Sequence, residues 1–303
     1  MSRLAHGFVA ACLFAGCIAD DGEISQDVNG ENGLNGAPEH VMKTKDAGHG
    51  GGGSSPLMTL HGGGVLVSNK TQAIFWGSEW GDGTNAFSGD KVSGLDDFFS
   101  NFGGSHYAGD STEYYGSDGV YITSSSTYLG HVFDSSAAPN KALSVKSAGA
   151  EGCKITNNNP DPNALYLIYT STGAGHVSYC AWHTWTTCSN GAPIQVAYMP
   201  NLDGVAGCDP GDTLTTHSQG LAALGNVTAH ELSETITDPR GQGWLDNGGQ
   251  ENGDKCAWSY PPGTQPVKLS SNSQWYLQGE WSNNAFALGT GYPNLSGQLG
   301  CLY

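Results

Sequence analysis

An α+β fold, in which a curved mixed sheet packs on one long helix and is stapled by disulfides, is predicted from three observations. Several apolar or β-branched runs bounded by Gly, Pro or Asn have the length and composition of strands. Residues 90–102 and 218–237 instead carry apolar side chains at helical spacing. Six cysteines, Cys153, Cys180, Cys188, Cys208, Cys256 and Cys301, give the even count expected of three disulfides in an exported chain.

The elements follow in chain order. Residues 1–17 begin with one positive charge and a short apolar stretch, too short to span a bilayer as a mature helix, and are expected to be an export signal. Its end, Leu13-Phe-Ala-Gly-Cys17, resembles a bacterial lipobox, in which Cys17 would be lipidated; simple secretion is the alternative. Residues 18–55 are acidic and rich in Gly and Asn, too polar to bury a core of their own, and are expected to be a disordered tether in which His40 and His49 are solvated. Strands are predicted at Val65–Val67, Ala73–Trp76, Ala164–Thr170 and Ile194–Met199. Between Asp90 and Phe102, the stripe Val92, Leu95, Phe98, Phe99 and Phe102 marks a helix with a core-facing side. A longer helix from about Ser218 to Thr237 buries Leu221, Leu224, Val227 and Leu232. Residues 56–303 are expected to form the functional domain, since about 248 positions suffice for one large core.

The second helix carries the chemistry. His230-Glu231-Leu232-Ser233-Glu234 sets an imidazole and a carboxylate four residues apart, on one helix face and one turn from each other, where both can reach a single ion. The pattern resembles the zincin motif His-Glu-x-x-His with its second histidine replaced by Glu234. Carboxylate oxygen is an acceptable zinc ligand, so the replacement keeps a site while making it more anionic. The competing account is an amphipathic helix with an exposed acidic face. A glycine-rich loop follows, carrying Asp246, Glu251 and Asp254, and Glu251 lies where a returning loop would supply a third ligand. Asp238 shares the stripe of His230 and Glu234, but eight helical residues span about 12 Å, too far for one ion. Beside Pro239 it is expected to orient a ligand or the loop, and Asp254 is the alternative third ligand. The loop could instead hold Ca²⁺ through its oxygens, although its spacing departs from the EF-hand.

Two further motif blocks, Gly-Trp-Leu-Asp at 243–246 and Glu-Asn-Gly-Asp-Lys-Cys-Ala-Trp at 251–258, complete the pattern with His-Glu-Leu-Ser-Glu-Thr-Ile-Thr-Asp-Pro at 230–239. Together they resemble the bacterial and fungal relatives of the plant EXORDIUM, or phosphate-induced protein 1, family. The likeness extends to His61-Gly-Gly-Gly-Val-Leu-Val, to Ala73-Ile-Phe-Trp-Gly-Ser-Glu-Trp and to Tyr179-Cys-Ala-Trp-His183, and so covers about residues 57–303. It implies a shared fold and a metal site at His230, Glu231, Glu234 and Glu251, without implying a particular reaction.

Composition limits the partners. Eleven Lys plus Arg against 28 Asp plus Glu give a net charge of -17, which argues against nucleic acid and against an anionic membrane surface, leaving membrane contact to a lipid anchor alone. No nucleophile elbow is present, which disfavours a serine hydrolase. Cys180 with Cys188 is the natural local disulfide, and Cys256 would staple the acidic loop to the body. His217 is expected to cap or lie on the surface; His176 and His183 are expected to be structural, with either able to complete the metal site in place of Glu251. Trp244, Trp258, Tyr260 and Trp275 are candidates for a cleft, with core packing the commoner use. The leading expectation is an extracytoplasmic Zn²⁺ peptidase: His230, Glu234 and Glu251 hold one ion, water takes the fourth place, and Glu231 accepts its proton as it attacks a peptide carbonyl. The alternative is a non-catalytic extracellular or cell-wall-associated binding module in which the metal is structural.

Overall fold

The computed structural model describes residues 40–47 and 56–303. Its centre is a curved six-stranded mixed sheet built from β1 (Val41–Lys43), β2 (Asn69–Trp76), β3 (Ser126–Asp134), β4 (Ala164–Thr170), β5 (Tyr179–Thr187) and β6 (Pro193–Met199). The strand order is β1-β5-β6-β4-β2-β3. Strands β3, β2, β4 and β6 run parallel, and β5 and β1 are added antiparallel at one side.

Three longer helices cover the sheet: α1 (Lys91–Phe102), α2 (Val145–Ile155) and α3 (Gln219–Thr237). The central strand β4 explains the layering. Leu165, Leu167 and Tyr169 face the core shared with α1 and α3, while Tyr166 and Ile168 face a second core on the α2 side. A strand buried on both faces reads as a continuous apolar run, and that is why its limits are legible in the sequence. Helix α2 is not. Its Gly149 and Gly152 let the backbone lie against β5 and β6, where an added Cβ at Gly152 would meet Ile194 at 2.8 Å.

Two sequence expectations change here. Val65–Val67 is not a strand: Leu66 donates its N–H to the carbonyl of Ile236 at 2.9 Å, satisfying an otherwise free group at the end of α3 rather than a sheet ladder. The tether expected over 18–55 is interrupted, because Val41–Lys43 pairs with Tyr179–Trp182 as the edge strand β1. Residues 1–39 and 48–55, including the signal, Cys17 and His49, lie outside the described residues.

The disulfides are Cys153–Cys188, Cys180–Cys208 and Cys256–Cys301. The local pair Cys180–Cys188 does not form, since both lie on or just after the extended β5, which carries them apart. Cys256 does staple the acidic loop to the body, through the last strand, Leu299–Leu302. Three disulfides fit an oxidising compartment. Among the described residues, no helix is long and apolar enough to cross a membrane.

Helix α3 starts where Ser218 accepts the N–H of Leu221 at 3.2 Å, a side-chain N-cap. Every residue from Gly220 to Thr237 is buried, so the exposed acidic face is excluded. Small residues permit this. Gly225 faces the indole of Trp275 with no room for a side chain. Polar side chains in the buried helix find partners: Thr228 with the Tyr169 hydroxyl at 2.8 Å, and Asn226 Oδ1 with the N–H of Gln278 at 2.8 Å.

Candidate metal centre

The geometry of α3 brings His230 and Glu234 together as their spacing requires, with Nε2 of His230 3.0 Å from Oε1 of Glu234. What surrounds them comes from three other elements. His183, in the middle of β5, directs Nδ1 to Oε2 of Glu231 at 3.0 Å and to Oε2 of Glu234 at 3.4 Å. The short helix α4 (Asn252–Lys255) supplies Asp254, whose Oδ1 is 3.8 Å from Nε2 of His230 and whose N–H donates to Oε1 of Glu234 at 2.9 Å. Ahead of β1, His40 places Nδ1 3.2 Å from Oε2 of Glu251, and the same oxygen lies 3.6 Å from Nε2 of His183.

His183, Glu231 and Glu234 thus form a buried group that could hold a metal ion, and His230, Glu234 and Asp254 form a second, sharing Glu234. Glu251 stands outside both groups, with Oε2 3.6 Å from Nε2 of His183. Of the two loop carboxylates expected as third ligand, Asp254, one turn further along the loop helix than Glu251, is the one beside His230. Glu231, expected to be a free proton acceptor, is tied to His183 and receives the N–H of Met42 at 3.4 Å on its other oxygen.

The residues fit a cation. Nε2 of His230, Oε2 of Glu234 and Oε1 of Glu251 are buried without a hydrogen bond, and such orphaned groups call for an ion or water. Glu231, Glu234, Glu251 and Asp254 also bring four carboxylates into one small region. Burial raises the Glu251 carboxyl to about 7 although His183 and His40 oppose it. Burial and the neighbouring Glu234 charge raise Asp254 to about 8. For His230, burial alone would favour the neutral ring, but Glu234, Glu231 and Asp254 outweigh it and raise the group to about 10. Glu234 itself is held low, with burial opposed by His230 and His183. Without metal, then, the cluster holds protons where a cation would sit.

That has a testable sign. Glu251, Asp254 and His230 all titrate higher folded than unfolded, so each stabilises the metal-free fold below its unfolded value and loses that contribution as pH rises through its folded value. The chelator-treated protein should therefore melt at progressively lower temperature from pH 5 to 9, and a midpoint that climbs over that range would contradict the assignment. Bound metal, which displaces those protons, should flatten or reverse the trend.

The remaining expected residues have structural duties. Asp238 Oδ1 accepts the N–H groups of Gln242 at 2.9 Å and Gly243 at 2.8 Å, organising the loop after α3. Asp246 pairs with Lys255 Nζ at 2.9 Å and accepts the N–H groups of Gly248 and Gln250. His176 is exposed and has no part in the cluster. His217 is half-buried and packs on Trp275, with ring centroids 4.3 Å apart. Trp244, Trp258 and Trp275 are buried core, not cleft walls.

Gly253 holds the cluster close. A Cβ there would stand 2.9 Å from Nδ1 of His230 and 3.0 Å from Oε1 of Glu234, tighter than normal packing. Gly253→Ala should thus cost about 1–3 kcal/mol by overpacking. It should also weaken metal binding although every ligand is unchanged; calorimetric zinc titration at wild-type affinity would show that the contact is not as close as drawn.

His40 escaped the sequence reading, and His183 entered it only as an alternative ligand. His183 sits in an apolar strand run, where a buried structural histidine is the commoner case, and His40 lies in a stretch composed like a linker. No local pattern marks either; both reach the cluster by strand pairing. No family model matches the chain, and no curated protein and no solved structure matches it.

Proposed function

We propose that this chain is an exported zinc-dependent peptidase. The observation that carries the reading is the set of buried atoms without a hydrogen bond, Nε2 of His230, Oε2 of Glu234 and Oε1 of Glu251, in one cluster with His183 and Glu231. A bound Zn²⁺ would acidify a water molecule and polarise a peptide carbonyl. His183, Glu231 and Glu234 suit the ion, being one imidazole and two carboxylates within reach of a common point. Nε2 of His183 then faces Glu251, an outer carboxylate of the kind that fixes a ligand imidazole's orientation.

Glu231 and Glu251 accordingly exchange the roles that the motif suggests. Glu231 ligates, and Glu251, raised to about 7 and carrying an unpartnered oxygen, accepts the proton. His40, 25% exposed and in contact with Glu251, connects that carboxylate to solvent. The resemblance to the EXORDIUM group and the disulfides support an extracytoplasmic setting. One observation favours the second reading, a binding module with a structural ion: His183, Glu231 and Glu234 are all buried.

Glu251→Gln separates the two. The zinc-loaded variant should keep its metal and its melting temperature while casein hydrolysis falls by about 100-fold or more, the usual loss for a general base. Wild-type protein that binds zinc yet cleaves nothing supports the binding module. Loss of zinc from Glu251→Gln would return Glu251 to the ligand role expected from the sequence.

A further inference from the structure

We infer that the cluster is built for two divalent cations bridged by Glu234, one held by His183, Glu231 and Glu234 Oε2 and the other by His230, Glu234 Oε1 and Asp254. The first position rests on the reading just given; the second is new. Its basis is the way Glu234 divides its oxygens. Oε2 points to Nδ1 of His183 at 3.4 Å, and Oε1 to Nε2 of His230 at 3.0 Å. A carboxylate that serves a different imidazole with each oxygen is placed as a bridge, and paired metal ions in hydrolytic sites lie about 3.5–4 Å apart.

Charge supports the same number. Glu231, Glu234, Glu251 and Asp254 are four buried or partly buried carboxylates facing three imidazoles that are neutral when ligating or relaying. Once metal has displaced the protons of these carboxyls, one divalent ion would leave two negative charges in a low-dielectric interior, which is costly without a partner. Two ions balance the four carboxylates. Orphaned atoms occur on both sides of the bridge, Oε2 of Glu234 on the first and Nε2 of His230 on the second, so neither side is satisfied by the protein alone.

The positions are unequal. On the first side, the outer nitrogen of His183 meets a carboxylate, Glu251, which suits a ligating ring. On the second, Nδ1 of His230 lies 2.9 Å from Nε2 of Gln278, whose amide is oriented by donating to the Gly253 carbonyl at 3.0 Å and accepting from the Trp258 N–H at 3.2 Å. Ligation through Nε2 of His230 needs a proton on Nδ1, and so needs the Gln278 amide to turn over against those two partners. The second ion therefore binds more weakly. It also exchanges faster, because the Asp254 side chain is 24% exposed whereas the first group is closed.

The test uses the full-length chain, stripped of metal and titrated calorimetrically with Zn²⁺. Wild type should take two equivalents in two steps, and Asp254→Asn should take one with the tighter step unchanged. Gln278→Glu, which offers His230 an acceptor, should tighten only the weaker step, by about 10-fold. Loaded with Mn²⁺, wild type should give the paramagnetic resonance spectrum of a coupled pair, and Asp254→Asn that of an isolated ion. A single equivalent in wild type that Asp254→Asn leaves untouched overturns the second position and leaves the one-ion reading standing. A single equivalent that Asp254→Asn weakens puts the only ion at His230 and overturns the pair. No uptake of zinc overturns both readings.

Discussion

Glu234→Gln should yield a folded protein that binds no zinc at micromolar concentrations and has no measurable activity on casein. The substitution preserves shape, and the amide oxygen can still accept the N–H of Asp254, now at 2.9 Å from Oε1. What it removes is the charge that both His183 and His230 face, and with it the carboxylate shared by both candidate groups. Metal activation is worth several kcal/mol, and each 1.4 kcal/mol is a factor of ten, so turnover should drop by at least about 1,000-fold. Added chelator, which should lower the melting temperature of the wild type, should leave that of the variant unmoved. Zinc bound to Glu234→Gln at wild-type affinity would mean that the ion sits elsewhere.

The second large effect concerns the covalent tie behind the loop helix. Cys256 directly follows α4, and its bond to Cys301 closes a separation of 45 residues. By loop entropy such a cross-link stabilises by about 4 kcal/mol. For a domain of this size that is about 8–16 °C in melting temperature. Replacing both cysteines by serine should cost that much and should also weaken zinc binding, because the segment presenting Glu251 and Asp254 loses its anchor. Cys153–Cys188 supplies the comparison. It closes 35 residues on the opposite face of the sheet, with the α2 core, so its removal should cost similar stability and leave zinc affinity unchanged. If both double mutants lose metal equally, the effect is global loosening rather than displacement of the loop.

Legibility in the sequence follows the range of the interactions. Helix α3 with its Ser218 cap, helix α1 and strands β2, β4 and β6 were readable because periodicity and apolar run length are local signals. Helix α2 was hidden by its own means of packing, glycines in place of an apolar stripe, and the edge strand β3 by its alternation of half-exposed residues. At the site, spacing within one helix placed His230, Glu231 and Glu234. It could not distinguish Glu251 from Asp254, since both stand on the loop helix or its cap and only the docking of α4 against α3 decides which faces His230. His183 and His40 depend on sheet pairing, which spacing along the chain does not encode.

Strand β1 has a consequence for the timing of assembly. The chain is made from its N-terminus, yet Val41 pairs with Trp182, roughly 140 residues later, and non-local pairings of this kind form slowly. His40 is thus among the first of the cluster's residues to be synthesised, but it cannot take its place until β5 exists to receive its strand. The helix bearing His230 and the loop bearing Asp254 come later still. A nascent or truncated chain therefore exposes the bare edge of β5 and scattered donors with no ion site among them. Metal capture is possible only for a finished molecule, and a fragment starting at residue 56 should be the form most prone to pair, edge to edge, with a second copy.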